Sequence, residues 1–326
     1  MRSAALSIAL CCCNGAAYID TQLQSLARQT RRPDELVVCD DFSDDDTCQR
    51  VVRFARHAPF PVRLVINPVR LGVPRNFSQA ISLCQGQFIA LCDQDDRWQP
   101  TKLRYLEEAL AVSPDVGYVW CNADLVGESL RPTNRRLWDV LGPDARQREL
   151  LLSGRGMEVL LRNNVVTGAM MLFRSSFRDV ICPIPDAWLH DAWIALLLTA
   201  MSDCVMVDRS LVDYRQHARQ QIGARRNGLF GQMQTARRME QGYFQQDLSR
   251  WEAAVARLEQ FPGRWRRPDA ASLVRERRDH ARRRREMRER SDHRWDLAAG
   301  EVWTRGYGRF ALGWKSLVQD VLLKVE

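Results

Sequence analysis

The chain has 326 residues, 45% of them hydrophobic and 27% charged, with 48 Lys and Arg against 40 Asp and Glu for a net charge of +8. That is enough chain to bury a sizeable core, in one large domain or two modest ones. No apolar run approaches the roughly 20 residues of a bilayer-spanning helix, and no basic segment leads into an apolar stretch with a cleavage site, so a cytoplasmic location is expected.

Short apolar runs alternate with helix-like segments over the first third. Leu6–Cys12, Glu35–Cys39, Val62–Ile66, Phe88–Cys92 and Val116–Cys121 each read as a strand. Their apolar character is continuous rather than alternating, as in parallel strands covered on both faces. Ile19, Leu23 and Leu26 repeat at helical spacing between the first two, and Phe77, Ala80, Ile81 and Leu83 between the third and fourth. This is a βαβαβ pattern and predicts a doubly wound α/β domain. Residues 127 to 155, rich in Arg, Pro, Gly and Asp, read as a long excursion or lid. Val165–Phe173 is a further apolar run, Trp188–Met201 a helix, and Val205–Val207 and Leu211–Tyr214 two short strands. From about 232 to 294 the sequence is polar and helix-forming. Tyr307, Phe310, Trp314, Leu317, Val318 and Val321 then make an apolar stripe at helical spacing.

Ten cysteines invite a metal or redox reading. Reducing cytosol disfavours disulfides, and paired zinc-ligand spacings are missing. Cys39, Cys48, Cys84, Cys92, Cys121, Cys182 and Cys204 are scattered, most of them beside Val, Leu, Ile or Trp, as small core hydrophobes would be. The triplet Cys11-Cys12-Cys13 closes the first strand.

Ligands of an open parallel sheet lie beyond the carboxyl ends of its strands. There the sequence reads "CCNG" after the first strand, "CDDFSDDDT" with Asp40 and Asp41 after the second, and "CDQDDRWQP" with Asp93, Asp95 and Asp96 after the fourth. Two such carboxylate clusters at neighbouring strand ends repel one another unless a cation lies between them. Hard oxygen ligands suit Mg²⁺ or Mn²⁺, with substrate phosphates completing the shell. The plainer alternative for "DQDD" is a solvated turn with Asp95 or Asp96 capping the helix that begins near Pro100–Thr101.

These stretches resemble the nucleotide-sugar half of glycosyltransferase family 2, inverting enzymes of the GT-A fold, a Rossmann-like α/β architecture. The matching pieces are "SIALCCCNGAAYIDTQLQSLARQT", "PDELVVCDDFSDDDT", "NPVRLGVPRNFSQAI" and "GQFIALCDQDDRWQPTKL". Further on, "VVTGAMMLFRSS", "LHDAWIALLL" and "LVDYRQHARQQIGA" resemble the acceptor half of rhamnosyltransferase-like bacterial members. The resemblance implies a GT-A domain over 1–225, divided into a donor half 1–122 and an acceptor half 123–225. A helical basic extension follows over 226–326.

By the same resemblance, Cys12, Cys13, Asn14, Asp40, Asp41, Gly72, Arg75, Asn76, Asp93, Gln94 and Arg215 would line the donor nucleotide site. The family usually has an aromatic where Cys13 stands, one that can stack on the base, so either another ring substitutes for it or base binding is weaker or differently selective. Asp93, Asp95 and His217 would hold the divalent metal. Asp191, aided by His190, would be the general base that inversion requires, while an Asp that opens an apolar helix also reads as its N-cap. Thr167 and Gly168 would line the acceptor site. The implied reaction moves a sugar, by resemblance rhamnose, from a nucleoside diphosphate to a saccharide or lipid-linked glycan.

Nine arginines lie between residues 275 and 290, interrupted by acids that can pair at helical spacing. They read either as a solvated ion-paired helix or as contact with an anionic surface. The terminal stripe, flanked by Arg305, Arg309, Lys315 and Lys324, reads as an in-plane membrane helix or as a helix packed on the core or on a second copy. Two other functions compete. A sugar-phosphate nucleotidylyltransferase needs a Gly-rich phosphate loop after the first strand, which "CCCNGAAY" does not supply. A nucleic-acid-binding protein would leave the acid clusters unexplained, since they repel phosphate.

Overall fold

The computed structural model describes residues 5–217, 241–289, 294–311 and 313–322. Its centre is a nine-stranded mixed sheet. Strands β1 (Leu6–Cys12), β2 (Glu35–Asp40), β3 (Val62–Ile66) and β4 (Phe88–Asp93) run parallel in the order β3-β2-β1-β4. All seven residues of β1 are buried, whereas β3, at the sheet edge, is half exposed. Helices α1 (Ile19–Ala27), α2 (Thr47–Ala55) and α3 (Val73–Leu83) make the crossovers, each burying one apolar face.

The second half of the sheet departs from the expected pattern. The run Val165–Phe173 is mostly loop, and only its end joins a short strand, β8 (Met171–Arg174), between β4 and β6 (Val116–Val126), antiparallel to both. The two strands expected at 205–207 and 211–214 are one strand, β9 (Asp203–Arg215), parallel to β6. The register shifts there, with Val207 opposite Cys121 and Ser210 opposite Asn122. Asp208 and Arg209 bulge out, and this polar pair is what split the pattern in the sequence. A two-residue strand, β5 (Arg97–Trp98), pairs with β9. It separates the "DQDD" turn from α4 (Lys102–Leu110), whose N-cap is Thr101, so neither Asp95 nor Asp96 caps that helix.

The excursion at 127–155 is built rather than loose. Strand β7 (Pro132–Arg136) pairs with β6, α5 (Ala145–Leu152) follows, and Arg136 and Arg148 both bridge to Asp208 in the β9 bulge. After α6 (Gly156–Leu160) and α7 (Arg178–Ile181) comes α8 (His190–Met201), apolar all round and buried except at Asp191.

Past residue 240, α9 (Gln241–Glu259) and α10 (Ala270–Glu289) pack on the sheet domain, sharing one continuous core with it through Leu248, Trp251, Leu258 and Val274. Most of the arginine run lies on α10, and several of its charges find partners among the described residues. Arg277 pairs with Asp247 at 3.0 Å, Arg284 with Asp320 at 2.5 Å, and Arg275 with Glu259 at 2.7 Å. Arg283 bridges Glu301 and Arg309 bridges Glu276. An ion-paired helix is thus what the structure contains.

The terminal stripe breaks at Gly313, whose φ of +66° ends one helix before the next begins. Helices α11 (Arg294–Trp303), α12 (Gly306–Phe310) and α13 (Trp314–Leu322) fold back on α10. Tyr307, Phe310 and Val321 are buried in that packing, with Leu317 against it, while Val318 of the same stripe is exposed. The expected domain boundary at 225/226, the "ARQQIGA" end of its motif and Lys324 lie outside the described residues.

Candidate active site

Parallel pairing brings the ends of β1, β2 and β4 level, with Cys12 opposite Asp40 and Cys11 opposite Asp93. The first acid pair turns inward and shapes the loops. Asp40 accepts hydrogen bonds from the Ser43 amide at 2.8 Å and hydroxyl at 2.5 Å. Asp41 accepts from the amides of Leu71 at 2.6 Å and Gly72 at 2.9 Å and from Asn67 Nδ2 at 3.1 Å. Gly72 sits at φ +82°, a left-handed conformation natural to glycine, and leads into α3. Asn76 donates to the Cys39 carbonyl at 2.9 Å.

The opposite lip is clamped by Gln94. Its Oε1 accepts from the Cys13 amide at 2.9 Å and its Nε2 donates to the Cys13 carbonyl at 3.0 Å. A Cβ at Gly15 would come within 2.1 Å of Gln94 Oε1, so a larger residue there would displace this clamp. Asn14 joins the first loop to the second, its amide donating to Ser43 Oγ at 2.8 Å and its Oδ1 accepting from the Asp44 amide at 3.0 Å. The cysteine triplet is wall material. All ten cysteines are free thiols. Burial, and then the neighbouring Asp40, push the Cys12 thiol far up, while burial raises Cys13. Protonated thiols are poor metal ligands and poor nucleophiles.

Beyond β4, Asp93, Asp95 and Asp96 crowd together. Enclosure raises the Asp93 carboxyl, and the charges of Asp95 and Asp191 raise it further. Asp96 is raised by burial and by Asp95 and Asp93; its Oδ1 accepts from the Arg215 amide at 3.1 Å and its Oδ2 has no partner among the described residues. Asp95 Oδ2 lies 2.8 Å from His217 Nε2. Arg215 donates from Nε to the Asp95 carbonyl at 2.6 Å and from Nη1 to the Glu128 carbonyl. It therefore ties the acid turn to the end of β6, where the sequence had suggested a pyrophosphate contact.

Asp191 is the second residue of α8. Leu189 is the N-cap, so the acid does not cap the helix but stands in its first turn, where the dipole favours a carboxylate. Its Oδ1 accepts from the Ala192 amide at 2.6 Å and its Oδ2 from the Gly168 amide at 3.4 Å. His190 lies flat on Phe77, ring centroids 3.9 Å apart, and neither ring nitrogen has a partner among the described residues. Burial lowers its pKa and holds it neutral. Thr167 leads into the turn at Gly168, whose missing side chain makes room for the His190 ring. Arg75 forks onto Asp186, with Nε 2.5 Å from Oδ1, and so joins α3 to the loop before α8 rather than meeting the acids.

Other side chains of the site were not singled out from sequence. Tyr18 packs on His217 with its ring tilted by 33° and the centroids 4.6 Å apart, receives the Arg215 guanidinium over its ring at 4.9 Å and donates to Glu128 at 2.7 Å. Lys102 is fully buried behind the acid turn, with its ammonium 3.2 Å from the centre of the Trp98 ring. Arg70, exposed, lies close enough for its charge to act on Cys13. Tyr18 and Lys102 lie within the quoted motifs "CCCNGAAY" and "QPTKL", but their contacts cross the fold.

Among the described residues no three His, Cys, Asp or Glu side chains converge as a metal cage. Asp95 and His217 do offer adjacent oxygen and nitrogen donors. Two protein ligands suit a divalent cation that takes the rest of its shell from phosphate and water, and the crowded carboxylates favour such a cation electrostatically.

Residues 7–181 match the family model described as Glycosyl transferase family 2. The chain belongs to this family. It is 27% identical over 116 residues to the Escherichia coli UDP-Glc:alpha-D-GlcNAc-diphosphoundecaprenol beta-1,3-glucosyltransferase WfgD, covering 36% of this chain and 44% of that one. The chain spans about half the length of the curated relatives it matches. Its fold is that of Staphylococcus aureus TarS 1–349 in complex with UDP-GlcNAc, with a TM-score of 0.58 at 16% identity over 97% of this chain and 81% of that one. It is also that of the mannosyltransferase PcManGT from Pyrobaculum calidifontis in complex with GDP-Man and Mn²⁺, with a TM-score of 0.52 at 16% identity over 93% and 76%. The family 2 chain thus carries a GT-A α/β fold with a helical C-terminal part, and among its described residues no helix is long and apolar enough to cross a membrane.

Proposed function

We propose that this family 2 protein transfers a sugar from a nucleoside diphosphate to a hydroxyl of a saccharide or lipid-linked glycan, inverting the anomeric carbon. One observation carries the reading: the buried Lys102 ammonium behind the acid turn donates to the Ala169 carbonyl, next to the Gly168 amide that meets Asp191, so the acid turn and the first turn of α8 border one space. Asp191 is held by two main-chain amides and takes the proton of the attacking hydroxyl. The acceptor oxygen displaces the nucleoside diphosphate in a single step, the C–O bond to the acceptor forming as the bond to phosphate breaks. Neutral His190, fixed on Phe77 with both ring nitrogens buried, backs Asp191 in the first turn of α8. Thr167 and Gly168 border the same space.

Asp95 and His217 would hold Mg²⁺ or Mn²⁺, which supplies positive charge for the departing diphosphate. The names of the relatives include uridine and guanosine donors and a diphosphoundecaprenol-linked acceptor. The motif resemblance adds deoxythymidine-diphospho-rhamnose, so all three nucleosides belong in the donor screen. Contact with a membrane bearing such an acceptor falls to Trp295, Val302 and Trp303, which are exposed, as is Val318 of the terminal stripe. Serine at Trp295 and Trp303 should move protein from an anionic-vesicle pellet to the supernatant; unchanged partitioning rejects that contact.

Asp191→Asn tests the mechanism. Transfer should fall by about 10²- to 10⁴-fold while nucleoside diphosphate affinity stays within about twofold. Full transfer by this variant removes Asp191 from the base role.

A further inference from the structure

The loop that follows Asp40 and Asp41 places Phe42 in an unusual state. Its φ is +60°, the left-handed region that a bulky side chain rarely enters. Both neighbours are pinned. Asp41 is tied to the amides of Leu71 and Gly72, and Ser43 is tied to Asp40 and to the Asn14 amide. Local structure therefore imposes the conformation on a residue that does not suit it. The ring is also 51% exposed, and Phe42 is the one exposed phenylalanine among those described. Core packing thus explains neither its backbone nor its side chain.

Its position supplies a reason. Phe42 stands at the lip of the β1–β2 crevice, beside Cys13, whose thiol donates to the Asp41 carbonyl at 3.3 Å. Cys13 offers a small side chain where a flat ligand would need a platform. Arg70, exposed and acting on Cys13 through its charge, adds a cation to the same lip. A flat apolar ring, held outward beside a cation, suits a planar heterocycle joined to phosphates.

We infer that Phe42 is the ring on which the donor's nucleobase stacks, an inference that rests on the nucleotide-sugar reading above. Phe42 makes base affinity, while the acid turn and metal govern the diphosphate. The same residue sets a size preference, since a ring platform rewards any base but rewards the larger purine surface more.

The test compares wild type, Phe42→Gly and Phe42→Tyr by calorimetric titration with UDP, GDP, dTDP and inorganic pyrophosphate, each with Mn²⁺. Glycine suits the left-handed backbone, so Phe42→Gly should melt at or above the wild-type temperature. It should bind the preferred nucleoside diphosphate about 5- to 100-fold more weakly, with pyrophosphate affinity unchanged and Phe42→Tyr close to wild type. Unchanged nucleotide affinity in Phe42→Gly overturns the inference, as does an equal loss for pyrophosphate, which would mean a distorted pocket. Wild type that binds none of the three nucleotides takes down the donor reading and this inference together.

Discussion

The ammonium of Lys102 donates to the carbonyl of Ala169 at 2.5 Å, one residue past Gly168, and thereby ties α4 to the loop that holds Asp191. The charge is fully buried on Trp98 and acts on both Asp96 and Asp93. Burial lowers its pKa to about 8, so it stays cationic at neutral pH as a built-in counter-charge to the acid turn. Lys102→Met leaves these carboxylates without their buried cation and Ala169 without its donor. It should cost about 3 kcal/mol in urea unfolding; a loss under about 1 kcal/mol would mean that water supplies the compensation.

The acid turn also sets a pH dependence. Asp93 is raised, so the native state holds a proton that the unfolded chain has released. The stability linked to it is fully present below the unfolded carboxylate value, near pH 4, and drains away as pH rises through the raised native value. Asp93→Asn has no such proton to lose. Thermal melts without metal should therefore find the variant gaining on wild type by a few degrees between about pH 5 and pH 7.5, with common titrations such as His190 and His280 cancelling. A gap that stays constant with pH removes Asp93 as the titrating group.

Gly168 is a contact surface for the first turn of α8. A Cβ there would lie 2.4 Å from His190 Nε2 and 3.3 Å from Asp191 Cβ. Gly168→Ala should push the histidine off Phe77, cost about 1–3 kcal/mol and lower kcat with little change in donor KM. Wild-type kcat in this variant would show that the placement of His190 does not matter to turnover.

In the helical part, Arg284 and Asp320 form a buried pair that Tyr307 joins, its hydroxyl 2.9 Å from Asp320. Asp320→Ala strands the guanidinium and should destabilise this docking by about 3–5 kcal/mol. Hydrogen exchange should accelerate in 270–289 and 306–322, with nucleotide affinity of the sheet domain unchanged. Uniform acceleration across the chain would instead make the terminal helices part of the global folding unit.

The parallel half of the sheet was legible because strands buried on both faces must be apolar without a break, and β1, β2 and β4 are. The acid clusters were legible for a related reason, since polar residues directly after such runs fall at one edge of the sheet. Legibility failed where partners come from elsewhere in the chain. Strand β9 looked like two strands because the partners of its bulged Asp208, Arg136 and Arg148, lie some 60 to 70 residues away in sequence. Arg215 was singled out for a phosphate, but its contacts to the carbonyls of Asp95 and Glu128 could not be read from its own motif.

By itself, then, the sequence determined the strand–helix alternation, the edge on which the acids stand and the chemistry they favour, all set by local hydrophobicity and chain direction. Only the tertiary structure decided that Lys102 is a buried counter-charge, that arginines of α10 pair with acids on neighbouring helices, that Tyr307, Phe310 and Val321 of the terminal stripe pack on protein and that Phe42 is held outward. Each of those depends on burial and on a partner distant in sequence, and neither is written in the local pattern.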